Sequence, residues 1–175
     1  LSRPFENIDD FEIIFKEYFN PLVNFVNKSI NNFENSKEIV QTAFLKIWEN
    51  RSVLEINTSV KGYIYKTVRN GMIDFLRKNK YQTNVIDLEN TVVNDFPDDH
   101  DELLDPYIVR QAIEKALKNI KPKARKIFEL NKFEGLTYDE IAEYMDISKR
   151  SVEDNVSKTL ILLKAELKNH SELFD

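Results

Sequence analysis

The chain has no cysteine, three glycines and two histidines, His100 and His170, far apart in its 175 residues. Without cysteine there is no disulfide framework and no thiolate metal site, which suits a reducing compartment. With no Cys–His cluster, neither a structural nor a catalytic metal is expected. Scarce glycine, with most of the five prolines at apparent boundaries, argues against a turn-rich β protein and for helices. No apolar run approaches the ~18 residues that a membrane span needs. No charged start leads into an apolar middle as in a secretory signal. A Gly-rich phosphate loop and a nucleophile–histidine pairing are also missing, so no catalytic residue and no cofactor is expected.

What is there is charge, unevenly placed. Twenty-five basic residues face thirty acidic ones, for a net −5. Residues 1–80 carry 12 basic and 10 acidic side chains, and residues 106–175 carry 13 and 12. Residues 81–105, "YQTNVIDLENTVVNDFPDDHDELLD", carry eight acids and no base. That segment lacks sustained helical periodicity and reads as an extended, self-repelling linker or solvated spacer. The expected fold is all-α: two small helical domains, 1–80 and 106–175, joined by a flexible acidic linker at 81–105.

In the second domain, Ile108, Ala112, Ile113, Ala116, Leu117 and Ile120 space as one amphipathic helix. Pro122 suits the first position of the next, with Ala124, Ile127, Phe128 and Asn131 along one side. Thr137 followed by Glu140 is a capping box, so a third helix should begin there with Ile141, Ala142 and Met145 as its apolar face. Asp146 fills the turn, since aspartate tolerates a left-handed backbone. Ser148 can cap a fourth helix, in which Val152, Val156, Leu160 and Leu163 share a face. Opposite or flanking that face lie Lys149, Arg150, Ser151, Glu153, Asp154, Ser157 and Lys158. A four-helix domain ending in a helix-turn-helix fits, its second helix offering these side chains to the major groove. Arg150 and Lys158 suit phosphate or guanine, and Glu153 or Asp154 can accept from cytosine N4. A helical hairpin with a solvated charged face fits the same pattern. "LILLKAEL" at 160–167 is apolar on more faces than a core stripe needs, and Ile161 points with Arg150, suggesting satellite packing or a protein contact.

In the first domain, Phe11, Ile14, Phe15, Tyr18, Leu22, Val23 and Val26 keep helical spacing, with a kink or short break expected at Pro21. Asn35 or Ser36 can cap the next helix. Its inner face is Val40, Ala43, Phe44, Ile47 and Trp48, and its outer face is Glu38, Gln41, Thr42, Leu45 and Glu49. In the third helix, Val60, Ile64, Thr67, Val68, Gly71, Met72 and Phe75 face inward. Lys66, Arg69, Asn70, Arg77 and Lys80 face outward. Six basic residues and one acid, Asp74, lie between 61 and 80, a single-signed stripe that suits a phosphate backbone. Tyr63, Tyr65 and Phe75 nearby suit stacking on unpaired bases.

Three motifs in order, "EIVQTAFLKIW", "YIYKTVRNGMIDFLRK" and "FEGLTYDEIAEYMDISKRSVEDNVSKTL", resemble those of extracytoplasmic-function (ECF) sigma factors of bacterial RNA polymerase, members of the sigma-70 family. Thr42 stands where the family pattern is usually acidic, and Asp146 where it has glycine. The resemblance implies a cytoplasmic transcription initiation factor that binds core polymerase and directs it to promoters. Residues 1–80 would be sigma region 2 and 106–175 sigma region 4. Glu38, Gln41, Thr42, Leu45 and Glu49 lie where the family meets the β′ clamp helices, and the β flap is a second polymerase contact. Lys66, Arg69, Asn70, Arg77 and Lys80 lie on the helix that engages the minus-10 element. The loop "RSVLEINTS" before it lies where a flipped base is captured. Lys149, Arg150, Ser151, Glu153, Asp154 and Lys158 lie where minus-35 DNA is read. An anti-sigma factor is the further partner implied, without insertion of the chain into a membrane. The acidic linker would thread the channel that later holds RNA. Core polymerase supplies most of the DNA-contacting surface in this family, so an acidic chain can still read DNA through small basic faces. A stand-alone helix-turn-helix regulator and a helical adaptor between proteins are the alternatives from other classes.

Overall fold

A computed structural model describes residues 5, 7–56, 59–79, 113 and 116–168. Among them every regular element is a helix, as the scarcity of glycine suggests. The chain divides into two compact units, the first built on the helices up to residue 79 and the second on those from residue 116 onward. The acidic segment 81–105, Lys80, Ile108 and Ala112 lie outside the described residues.

In the first unit, α1 spans Ile8–Ile30, α2 Phe33–Asn50 and α3 Val60–Asn79. Asn7 caps α1 by accepting from the Asp10 backbone N–H at 2.8 Å. The helix then runs on through Pro21 without a break. Pro21 is exposed, and the four side chains that anchor this half of the helix, Leu22, Val23, Phe25 and Val26, are buried around it. Their burial offsets the one backbone bond that proline deletes. The connection to α2 is two asparagines. Asn31 takes the left-handed backbone (φ 52°), and Asn32 accepts from the Asn35 N–H at 3.0 Å. The cap of α2 is therefore Asn32, three residues before the expected Asn35 and four before Ser36. Ser36 instead sits buried inside the first turn, its hydroxyl donating to the Asn32 carbonyl at 2.7 Å.

Ile39, Val40, Ala43, Phe44 and Ile47 of α2 join Ile64, Tyr65, Val68 and Met72 of α3 in the core. Ile39 and Phe25 extend the expected inner faces. The N-terminal half of α1 packs differently: Phe11 lies 6.0 Å from Phe44 and 4.9 Å from Trp48, and Phe15 lies 5.0 Å from Phe44. Phe11, Phe15 and Trp48 are only half-buried, a rim of edge and tilted contacts around the buried Phe44 ring.

In the second unit, helical residues at 116–118 precede α4 (Pro122–Lys132), α5 (Tyr138–Met145) and α6 (Lys149–Lys168). Pro122 opens α4 as expected. Ala116, Leu117, Ile120, Phe128 and Leu163 form one buried cluster, with Ile113, Ala124 and Phe133 against it. Glu129 is buried beside Arg125, whose Nε lies 2.8 Å from its carboxylate. Gly135 takes a positive φ of 62° in the α4–α5 loop, the conformation that glycine adopts without a Cβ clash. Asn131 closes that loop by donating to the Leu136 carbonyl at 2.9 Å.

Two expectations for α6 are corrected. Leu160 is 44% exposed, and Thr159 takes its place on the inner face with Val152, Val156 and Leu163. At 100° per residue Thr159 lies about 20° from Val152 in direction, whereas Leu160 is turned about 80° from it. Nor does "LILL" find satellite packing: Leu160, Ile161 and Leu162 are all exposed among the described residues.

Candidate nucleic-acid interface

The helix-turn-helix is assembled from three short devices. Thr137 and Glu140 form the expected capping box, with the Thr137 N–H donating to the Glu140 carboxylate at 2.7 Å. Asp146 ends α5 in the left-handed region (φ 56°, ψ 49°), its N–H bonded to the Ala142 carbonyl. Ile147 N–H bonds to the same carbonyl at 3.0 Å. Ser148 then caps α6 by accepting from the Ser151 N–H at 3.2 Å. The carboxylate side chain thus tolerates the position where glycine is usual, and the two helices are joined through residues 146–148.

With Val152 and Val156 buried, the opposite side of α6 is turned outward. Lys149, Arg150, Glu153, Asp154 and Lys158 are exposed and Ser151 is half-buried. All six expected reading residues therefore fall on the first three turns of one helix. An exposed arginine two positions into a helix, followed by carboxylates one turn on, can reach guanine O6/N7 and cytosine N4 in a major groove. One of the six is engaged already: Lys149 Nζ lies 2.8 Å from Asp139 Oδ2 across the turn. The hydrogen bond that the Lys149 ammonium donates to Asp139, and then the charge of that carboxylate, hold it above the usual lysine range. The lysine is charged at neutral pH in any case; the raised pKa moves the pair's alkaline limit upward, so the stabilisation it gives is lost as pH rises through the raised value. The partnership was not readable in the sequence, because ten residues and a turn separate the two side chains and no helical repeat links them.

On α3 the expected outward residues split. Asn70 and Arg77 are exposed, Lys66 and Arg69 are half-buried, and Lys80 lies outside the described residues. Arg77 is 3.8 Å from Asp74, both well exposed, an arrangement that solvent screens and that contributes little. Of the aromatics, Tyr65 is not available for stacking on a base. It is buried, and its ring stands edge-on to Phe25 at 5.3 Å. The alternation of aromatics with basic residues suggested otherwise, but position 65 falls beside Ile64 and Val68 on the inner side. Tyr63 and Phe75 remain half-exposed.

Between α2 and α3, the described part of the loop starts with an anchor that sequence reading missed. The Arg51 guanidinium lies 3.8 Å from the centre of the Trp48 ring and donates to the Trp48 carbonyl at 2.7 Å. Val53 follows, 77% exposed. An arginine three residues after a tryptophan at a helix end was the available signal.

On α2, Glu38, Gln41, Thr42, Leu45 and Glu49 are all exposed, and their spacing places them in one stripe. Leu45, 56% exposed, is the apolar residue at its middle. Among the described residues no group of His, Asp or Glu is placed to hold a metal ion, and no helix is long and apolar enough to cross a membrane.

Comparison with known proteins covers both units. Residues 14–81 match the family model of sigma-70 region 2, and residues 110–163 that of sigma-70, region 4. Curated relatives include the RNA polymerase sigma factor YlaC of Bacillus subtilis, 21% identical over 165 residues that make up 94% of this chain and 95% of the relative. SigZ, another RNA polymerase sigma factor of the same species, is 24% identical over 152 residues, 87% of this chain and 82% of the relative. The fold is shared with the sigma factor RpoE of Bartonella quintana, solved with the anti-sigma factor NepR, at a TM-score of 0.62 and 20% identity, covering 92% of this chain and 98% of that one. With region 2 and region 4 in this order and relatives aligned along nearly the whole chain, the protein belongs to the sigma-70 family and is an extracytoplasmic-function sigma factor.

Proposed function

We propose that the three exposed faces divide the work of promoter selection. As a sigma factor the chain is a transcription initiation factor that binds core RNA polymerase and directs it to specific promoters. In the proposed division, Glu38, Gln41, Thr42, Leu45 and Glu49 of α2 dock on the polymerase β′ clamp helices. Lys66, Arg69, Asn70, Arg77 and Lys80 engage the minus-10 element as it melts, with the loop after Arg51 receiving an unstacked base. Lys149, Arg150, Ser151, Glu153, Asp154 and Lys158 read the minus-35 element. Residues 1–80 and 106–175 act as the two working domains, and 81–105 as the acidic linker between them. The factor makes no bond itself: nucleotide addition belongs to the polymerase, in the cytoplasm where that enzyme works. An anti-sigma factor is a further partner in this reading, as NepR is for the Bartonella quintana relative.

The observation that carries the proposal is the pairing, in one chain, of an outward-facing reading helix with a polar helix stripe centred on exposed Leu45. A regulator that binds an operator alone has use for the first and none for the second. The test is a footprint on promoter DNA with and without core polymerase. Protection is expected only when both proteins are present. Equal protection by the chain alone would favour an autonomous regulator.

A further inference from the structure

The N-terminal end of α5 carries two carboxylates, Asp139 and Glu140. Glu140 is committed to the fold: it is buried and accepts from the Thr137 N–H in the capping box. Asp139 has no such duty to the backbone. It is exposed and reaches over the turn to Lys149, the first residue of the reading helix, at 2.8 Å. In a helix-turn-helix the first helix crosses the DNA backbone while the second enters the groove. In that docking geometry a carboxylate here would lie beside the path of the phosphates, holding a lysine that could otherwise meet them. The next residues of α6 add acid too, Glu153 and Asp154, so Lys149 is one of few cations at this end.

We infer that Asp139 is an electrostatic brake on promoter reading by region 4: it occupies Lys149, lowers upstream-element affinity, and makes the upstream contact more dependent on core polymerase. This deepens the assignment of α6 as the minus-35 reader and rests on it. Both side chains are more than half exposed, so the pair is readily exchanged for a phosphate. It therefore modulates DNA binding without blocking it.

The test uses the holoenzyme, formed from the full chain and core polymerase, on a fluorescent duplex carrying a promoter that the wild-type holoenzyme transcribes. Binding is titrated across salt concentration for wild type, Asp139→Asn, Lys149→Met, the double variant and Arg150→Ala. Asp139→Asn should bind roughly two- to fivefold tighter, the range open to one exposed ion pair. Its salt slope should steepen by ~0.9, one further phosphate contact. The gain should vanish in the double variant, because it needs the lysine that Asp139 releases. Circular dichroism melting should fall by no more than a few degrees, since the Thr137–Glu140 box still starts α5 and a first-turn carboxylate in an exposed ion pair contributes little. If Asp139→Asn leaves binding unchanged or weakens it while Arg150→Ala weakens it, the brake is overturned and the reading role of α6 stands. If Arg150→Ala also has no effect, both are overturned.

Discussion

Thr159 is 1% exposed between Val156 and Leu163, and its hydroxyl oxygen has no hydrogen-bond partner among the described residues. Valine has nearly the same shape and no group to desolvate. Thr159→Val should therefore stabilise the second unit by about 1 kcal/mol, seen as a rise of a few degrees in its thermal midpoint; a fall would mean the hydroxyl is bonded in solution. Leu45 is the opposite case, an apolar side chain turned to solvent beside Gln41, Thr42 and Glu49. Leu45→Asp should cost within ~0.5 kcal/mol of stability, as for ordinary surface changes, yet weaken binding to core polymerase in a pull-down or titration. Normal binding would show that the face is misassigned, and a large drop in melting temperature would show that Leu45 belongs to the core. Single residues were legible in the sequence where helical phase alone decides them. The α2 stripe is one example, because five positions share one spacing and the buried face opposite is continuous. Legibility ended where a partner came from outside the repeat. Asp139 meets Lys149 across a turn, and Tyr65 meets Phe25 on another helix.

At the scale of helices, caps and phase explain both what could be read and what could not. The start of α5 was legible because a capping box needs two residues at fixed spacing, Thr137 and Glu140, and both are present. The start of α2 was not, because Asn31, Asn32 and Asn35 all offer a cap. The turn that follows is polar, and its one large apolar residue, Phe33, is 55% exposed, so no inward periodicity marks it. Leu160 was misread for a related reason: leucine attracts an inward assignment, whereas the geometry of α6 turns Thr159 inward instead. The helices also predict different consequences for DNA. Arg150→Ala or Glu153→Ala, in the first turns of α6, should change which upstream sequence is preferred, since a lost bidentate base contact costs ~1–3 kcal/mol of discrimination. Lys66→Ala and Arg77→Ala, three turns apart on α3, should weaken open-complex formation across promoters and reduce its salt dependence, because phosphate contacts position and do not specify. Selection from an upstream-element library, with permanganate probing of melted thymines, separates the two. The same change of sequence profile from both pairs would contradict the division.

For the molecule as a whole, the net charge of −5 misleads if read as one number. Eight uncompensated acids fall in residues 81–105, and the flanking blocks are close to neutral. Neither block has the strong basic surplus of a protein that holds DNA unaided. On α3 and α6 the exposed cations sit beside Asp74, Glu153 and Asp154, and others, such as Lys16, Lys46 and Lys123, are scattered over the remaining helices. That distribution fits a subunit that borrows most of its DNA affinity from a larger partner and adds sequence preference. The all-helical fold, the two units and the class of function were legible in composition and motif order. Of residues 81–105 only the acidic charge was legible, since no sustained hydrophobic periodicity marks an element in their sequence. The central claim is that this chain gives core polymerase a promoter preference that neither possesses alone. Run-off transcription with purified core polymerase on genomic promoter fragments tests it most directly. Discrete transcripts should appear only when the chain and core polymerase are both present, and should diminish with Leu45→Asp. Transcription by core polymerase that is the same with and without the chain, on every fragment that carries a promoter of its host, would contradict it.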